Sequence, residues 1–205
     1  MKNRAIACFS LFLLFLLAYC REEKKLPYLG NPGVSGETST YPKIPDFSFT
    51  DQENKAITAA SFANKIYVAD FIFLSCSTIC PLMNTEMLKV YNEFDKDDRV
   101  VFLSHTIDPA NDSIQKLKAF ADNLNVSSNK WHFVTGNKDS IYKIAERDYF
   151  TTAYPDSLDK DGLLHGGGLL LIDKNKNIRG VYDGTDPNET ERLILDIKQL
   201  LKEQF

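Results

Sequence analysis

The sequence lacks a strong excess of either charge, because its 205 residues carry 24 basic and 28 acidic side chains and a formal net charge of -4. This nearly even balance of charges provides no general attraction to the phosphates of nucleic acid, so no nucleic-acid partner is expected. The 43% of hydrophobic and 25% of charged residues are typical of an ordinary globular protein. We find no internal repeat and no sign of a second domain.

Long hydrophobic runs are also missing. The longest, residues 5–19, has about 15 residues, whereas a membrane-spanning helix needs roughly 20. The run follows two basic residues and ends at Cys20, which is typical of a secretory signal. The four residues ending at Cys20 resemble a bacterial lipobox, so residues 1–20 are predicted to be a lipoprotein-type signal peptide with Cys20 acylated. An uncleaved anchor, or cleavage further on, would equally place the domain outside the cytosol, in the bacterial cell envelope.

Cysteine is scarce, and its distribution is informative. Of the four cysteines, Cys8 lies within the apolar run and Cys20 ends it, which leaves Cys76 and Cys80 as the pair in the folded part. In an oxidising compartment, two cysteines four positions apart are compatible with a disulfide, a metal site, or a site that alternates between the two.

The remaining chain divides into a tether and one domain. Residues 21–43 are rich in charged, Gly, Pro, Ser and Thr residues, which predicts a flexible tether. The domain is predicted to span 44–205 and to open with a β-hairpin, because 44–50 alternates apolar and polar residues before a polar turn.

Within the domain, buried strand patterns alternate with helical patterns. Strands are predicted at 65–75, 100–107, 131–134, 169–172 and 178–182, and helices after Pro81 and at 113–124, 139–147 and 189–201. A βαβ half followed by a ββα half is the order of an α/β, thioredoxin-like fold, with a central mixed β-sheet flanked by helices.

The cysteine pair is predicted to lie where the first buried strand meets a helix. Helix N-termini stabilise anions, so a thiolate pKa should fall below that of free cysteine. Helical i,i+4 spacing places the Cβ atoms about 5–6 Å apart, which suits a metal ion, whereas a disulfide requires about 3.8 Å. Two thiolates select soft ions such as Cu(I), and an imidazole would complete a three-coordinate copper site.

Three histidines are candidates for the third ligand. His105 and His132 fall inside predicted strands, where a structural, hydrogen-bonded histidine is the favoured interpretation. His165 lies in a loop, 161–168, just before a predicted strand. That strand is expected to neighbour the strand that leads to the cysteines, so His165 is the preferred third ligand. The alternatives are a fixed disulfide of Cys76 and Cys80 with His165 as a plain loop residue, or a structural zinc site, which would need four protein ligands. A hydrolase is excluded because the Gly-x-Ser-x-Gly turn is absent.

The sequence resembles the Sco/SenC family over about residues 44–203. The resemblance rests on a series of motifs in the family's order: 44–52, the Cys-x-x-x-Cys-Pro of 76–81, Thr106-Ile107-Asp108-Pro109 with Asn111-Asp112-Ser113, and 131–136. Gly166 departs from the expected Ser or Thr, and Asn111 replaces the arginine of many relatives. Asp108 and Asp112 are interpreted as loop and helix-cap residues.

The resemblance implies a thioredoxin-like fold that binds copper, as Cu(I) or Cu(II), through Cys76, Cys80 and His165. It further implies a membrane-tethered metallochaperone for the binuclear copper site of cytochrome c oxidase subunit II. The alternative is an enzyme, a thiol-disulfide oxidoreductase that uses Cys76 and Cys80 as its catalytic redox pair to keep the oxidase cysteines reduced. A copper or redox sensor is a third hypothesis.

Overall fold

The structure is a computed structural model, and it describes residues 25–35, 38–155 and 163–205. The predicted signal peptide, with Cys8 and the acylation site Cys20, lies outside these residues, so both cleavage and lipidation stay predictions. Across the three described ranges, no helix combines the length and the hydrophobicity needed to cross a bilayer.

The described residues form short and long strands interleaved with helices. The strands are β1 (Gly33–Ser35), β2 (Thr38–Thr40), β3 (Ser48–Asp51), β4 (Ala56–Thr58), β5 (Ile66–Ile72), β6 (Val100–Thr106), β7 (Trp131–Thr135), β8 (Ala153–Pro155), β9 (Leu163–His165), β10 (Gly168–Ile172) and β11 (Ile178–Asp183). The helices are α1 (Cys80–Phe94), α2 (Ile114–Leu124), α3 (Lys138–Arg147) and α4 (Pro187–Gln204), and a short 3-10 helix spans Ala59–Phe62.

The main sheet has seven strands in the order β11-β10-β5-β6-β7-β3-β4. The central strands β5, β6 and β7 run parallel, whereas β10, β11, β3 and β4 join by antiparallel pairing. Every residue of β5 and β6 is buried, as expected for apolar strands covered on both faces. The predicted α/β fold with a mixed central sheet is confirmed, and β3–β4 supplies the predicted N-terminal hairpin.

Part of the segment predicted to be a flexible tether contacts the domain in the described residues. β1 and β2 pair with each other. The amide of Leu26 donates to Glu203 at 2.7 Å, and the guanidinium of Arg179 donates to the carbonyl oxygens of Leu26 and Pro27 at 2.6 and 3.0 Å. Arg179 is buried, so its polar contacts hold this stretch against β11 and α4. Composition alone did not indicate this, because the anchoring residues lie more than a hundred positions away.

Candidate metal centre

The two cysteines flank the turn from β5 into α1. The chain leaves β5 after Ile72, and the Cys76 amide donates to the Phe73 carbonyl at 3.1 Å in a tight turn. Cys80 is the first residue of α1 and Pro81 follows it, at a position where a missing N–H costs nothing. The predicted helical i,i+4 spacing is wrong, because Cys76 lies in the loop before the helix. Its sulfur instead accepts a hydrogen bond from the Cys80 amide at 3.4 Å.

His165 reaches the cysteines through strand pairing. It ends β9, where it lies opposite Ala153 of β8, so the predicted loop is a short strand here. Three residues later β10 begins, and it neighbours β5 as predicted, in antiparallel pairing. The Nε2 atom of His165 lies 3.1 Å from the Cys80 sulfur and 3.9 Å from the Cys76 sulfur. The three potential donor atoms all lie within 4.8 Å of one another.

The two thiols have opposite electrostatic character. Burial on its own raises the pKa of Cys76, but the net pKa is lowered because the thiol and amide of Cys80 and the hydroxyl and amide of Thr78 stabilise its thiolate. Burial raises the pKa of Cys80 well above its ordinary value. The backbone at Phe73 opposes that shift, whereas the charges of Cys76 and Asp70 add to it. Of the two thiols, therefore, Cys76 loses its proton more readily and Cys80 retains it more strongly.

The imidazole of His165 is held by close packing. It is 6% exposed, and the ring of Phe73 meets it edge-on with centroids 5.5 Å apart. The next residue, Gly166, donates its amide to the Thr152 carbonyl at 2.9 Å. A Cβ atom at Gly166 would lie only 2.2 Å from the Thr151 hydroxyl oxygen, which accounts for glycine where the family resemblance led us to expect Ser or Thr.

Asp112 holds the loop that precedes Cys76 by hydrogen bonds. Its carboxylate accepts hydrogen bonds from the Leu74 amide at 3.1 Å and from the Thr106 hydroxyl at 2.5 Å. The N-cap of α2 is instead Ser113, whose side chain accepts from the Lys116 amide. The helix-cap interpretation of Asp112 is therefore wrong, since this carboxylate ties the loop before Cys76 to the end of β6.

Asp70 is a buried carboxylate close to the site that the sequence reasoning missed. It lies on β5 and is fully buried, and neither carboxylate oxygen has a hydrogen bond of good geometry from the described residues. Burial raises the pKa of Asp70 to about 7, opposed in part by the nearby Ser104 hydroxyl. An acidic residue inside an otherwise apolar strand was the available signal, because such a residue is rarely buried without a partner.

The other two histidines lie away from the thiols, in the strands where they were predicted. His105 is on β6 and stacks on Phe71 at 4.8 Å between ring centroids. The Nδ1 atom of His132, on β7, lies 3.4 Å from a carboxylate oxygen of Asp51. Neither joins the group formed by Cys76, Cys80 and His165.

The donor set fits a soft metal ion. Two sulfurs and one imidazole nitrogen are the ligands that Cu(I) prefers, and their mutual distances leave room for a three-coordinate ion. Among the described residues, no fourth Cys, His or carboxylate joins the group, as a structural zinc site would require. No disulfide joins Cys76 and Cys80 in this structure, so both sulfurs are available as ligands.

Comparison with known proteins identifies the class of molecule that this fold and site define. Residues 35–202 match the SCO1/SenC family. The SCO1 protein homolog of Bacillus subtilis (strain 168) is 27% identical over 157 residues, which cover 76% of this chain and 81% of that protein. The chain therefore belongs to the SCO1/SenC family and has the thioredoxin-like fold predicted for it.

Solved structures agree with this assignment. A SCO1/SenC family lipoprotein from Bacillus anthracis str. Ames has 29% sequence identity and a TM-score of 0.71, with 78% of this chain and 95% of that chain covered. The copper-bound structure of Bradyrhizobium japonicum ScoI, with 23% identity and a TM-score of 0.63, covers 76% of this chain and 98% of that chain and shares the fold.

Proposed function

We propose that this protein is a copper metallochaperone that carries Cu(I) or Cu(II) on Cys76, Cys80 and His165. The observation that carries the proposal is that two sulfurs and one imidazole nitrogen lie within 4.8 Å of one another. His165 is 85 or more residues away from both cysteines in the sequence. Membership of a family whose Bradyrhizobium japonicum member is seen with copper bound supports the same cargo.

The geometry suits a carrier that must also release its ion. Three protein ligands leave a coordination position through which an acceptor's ligand can enter before the carrier's ligands leave. Cys76 ionises more readily than Cys80, and Cys80 must release its proton to bind as a thiolate, so copper loading and proton release are coupled. Cys76 is 8% exposed and Cys80 3%, which makes Cys76 the ligand nearer to an incoming acceptor.

The acceptor we propose is the binuclear copper site of cytochrome c oxidase subunit II, during assembly of the oxidase. We further propose that the domain faces the outside of the cytosol and is tethered to a membrane by a lipid on Cys20. These proposals rest on the family resemblance and on the N-terminal sequence pattern.

The deciding experiment is a copper titration of the purified, reduced full-length protein beside its Cys76→Ser variant. We expect one copper per wild-type chain, with a thiolate-to-Cu(II) absorption band, and loss of the band with much weaker binding in the variant. A wild-type protein that takes up no copper would refute the proposal.

A second function, thiol-disulfide oxidoreductase for the oxidase cysteines, is favoured by the unequal thiols. A low-pKa Cys76 beside a protonated Cys80 is the arrangement of an attacking and a resolving cysteine. The His165→Ala variant separates the two functions, because exchange through Cys76 and Cys80 does not need the imidazole as a ligand. Retained exchange with lost copper binding is expected if both functions are present.

A further inference from the structure

An apolar groove runs directly beside the two cysteines. It encloses about 340 Å³ and lies between the end of β5, the first turns of α1 and the last turns of α2. Its lining residues are Ile72, Phe73, Leu74, Cys76, Cys80, Pro81, Asn84, Thr85, Leu88, Phe120 and Leu124. His165 does not line it, so the groove meets the thiols from the side away from the imidazole.

The lining defines the chemistry of what can bind. Apart from the two thiols, the described residues that line it include no ionisable side chain, and most of them are Leu, Ile, Phe or Pro. A charged occupant would lose its hydration there without gaining a partner, which costs several kcal/mol for an ion. An uncharged, apolar side chain would gain by burial instead.

The described residues of the N-terminal stretch do not fill the groove. The stretch around Leu26 is held by Arg179 and Glu203, on β11 and α4, and the amide of Leu29 donates to the Ile178 carbonyl. Those elements contribute nothing to the groove lining. This described stretch therefore leaves the groove open.

We propose that this groove is the docking site for a partner segment in which an apolar side chain lies next to a cysteine. The inference rests on the proposed function, because both copper transfer and thiol exchange require a partner's cysteine to reach Cys76. Cys76 and Cys80 form part of the groove wall, so a side chain seated against Leu88 and Leu124 places its neighbouring cysteine at the thiols.

Asn84 is suited to the same occupant. It lines the groove, and its Oδ1 atom is buried without a hydrogen-bond donor from the described residues. A buried acceptor left unsatisfied costs free energy, so a hydrogen bond from an arriving amide to this oxygen would be a gain. The backbone N–H of an extended partner segment is such a donor.

The test uses two short synthetic peptides, each with a single cysteine activated as a mixed disulfide with thionitrobenzoate. One has leucine on both sides of the cysteine and the other has serine. The Cys76 thiolate attacks the peptide sulfur, the disulfide of the probe breaks, and the coloured thionitrobenzoate anion leaves. Cys80 then attacks the Cys76 sulfur, which releases the peptide as a thiol, and the Cys80 proton passes to that thiol or to solvent.

We expect the reduced full-length protein to react about tenfold or more faster with the leucine peptide, the gain that burying one apolar side chain provides. Each rate is divided by the rate with hydroxyethyl disulfide, a small polar reagent that reports thiol reactivity alone. The leucine preference should disappear in Leu88→Gln and in Leu124→Gln, and Asn84→Leu should slow both peptides alike. Leu195→Gln on α4 is the matched control, because Leu195 is 64% exposed and outside the groove.

Equal rates for the two peptides with wild-type protein would overturn the proposal, as would a preference that survives both groove variants. A wild-type dimer that Leu88→Gln dissociates, measured by sedimentation equilibrium, would assign the groove to a second copy of this chain and would also overturn it. The test contains no copper. Its failure therefore leaves the metallochaperone proposal standing, and a protein that binds no copper can still show the peptide preference.

Discussion

His105 and His165 are both buried, yet their surroundings have almost nothing in common. His105 is surrounded by aromatic rings, stacked on Phe71 and edge-on to Phe49, and neither ring nitrogen has a hydrogen bond of good geometry from the described residues. Burial lowers the pKa of His105 to about 3, opposed in part by the backbone at Asp70. His165 lies against two sulfurs instead. Burial by itself does not make a histidine a ligand; converging donor atoms do.

The two faces of the central strands repeat this contrast. In the parallel pairing of β5 with β6, Phe71 lies beside His105 and Asp70 beside Ser104, so the two pairs project to opposite faces of the sheet. The His105 face is an aromatic cluster. The Asp70 face carries a carboxylate without a hydrogen bond of good geometry from the described residues, and its charge raises the pKa of Cys80. The next predictions test whether the chemistry is confined to one of these regions.

The largest expected effect is the loss of copper binding in His165→Ala. Metal-binding free energies of roughly 10–16 kcal/mol are shared among a few ligands, so removal of one should weaken affinity on the order of a thousandfold. His105→Leu should leave copper affinity unchanged. Competition titration against a Cu(I) chelator measures both. Equal affinities of wild type and His165→Ala would remove the distinction between the two histidines, and His165→Ala should still form the Cys76–Cys80 disulfide.

The Asp70→Asn variant should be more stable than wild type at high pH. Asp70 has a folded-state pKa of about 7, above the roughly 3.9 of an unfolded aspartate, so the folded state binds the extra proton. Wild-type stability should therefore fall as pH rises from about 4 to 7. Asn cannot ionise, so the stability advantage of Asp70→Asn should grow by about 4 kcal/mol between low pH and pH 8.

Urea unfolding of the reduced, copper-free protein at a series of pH values measures this difference. A constant gap between Asp70→Asn and wild type from pH 4 to 8 would contradict it. Asp70→Asn should also lower the pKa of Cys80, because it removes a nearby negative charge, and alkylation rates against pH report that shift.

His105 should produce the opposite pH dependence. Its folded-state pKa of about 3 lies below the roughly 6.5 of an unfolded histidine, so the unfolded state binds the extra proton. Its contribution to stability is fully present above about pH 6.5 and is lost as pH falls towards 3. At pH 5 the loss should be roughly 2 kcal/mol, and His105→Leu should abolish it. The same unfolding series measures this effect. A difference in unfolding free energy between wild type and His105→Leu that does not change with pH would contradict it.

The smallest effect should come from Gly166, the residue that follows His165. Gly166→Ala should cost about 1–3 kcal/mol, because the added Cβ meets the Thr151 hydroxyl. Thr151→Ala removes that oxygen, so the double variant should recover most of the loss. Thermal unfolding of the two single variants and the double variant measures the coupling. Additive losses would show that Gly166 is required for another reason.

Much of the fold followed from local pattern. The apolar runs at 65–75 and 100–107 correspond to β5 and β6, and the helical spacings after Pro81 and at 189–201 correspond to α1 and α4. These elements were predictable because alternation and helical spacing directly record which side chains are buried. The strands β8 and β9 were missed since each has three residues, and three residues show no periodicity.

The sequence by itself determined the candidate ligands Cys76, Cys80 and His165, because the motif series and the histidine settings singled them out. Tertiary structure alone decided their mutual arrangement. Antiparallel pairing of β10 with β5 carries His165 to the thiols across 85 residues of chain. The difference between the two thiol pKa values, and the burial of Asp70, also depend on neighbours distant in sequence. Desolvation and charge act through space, so no local pattern records them.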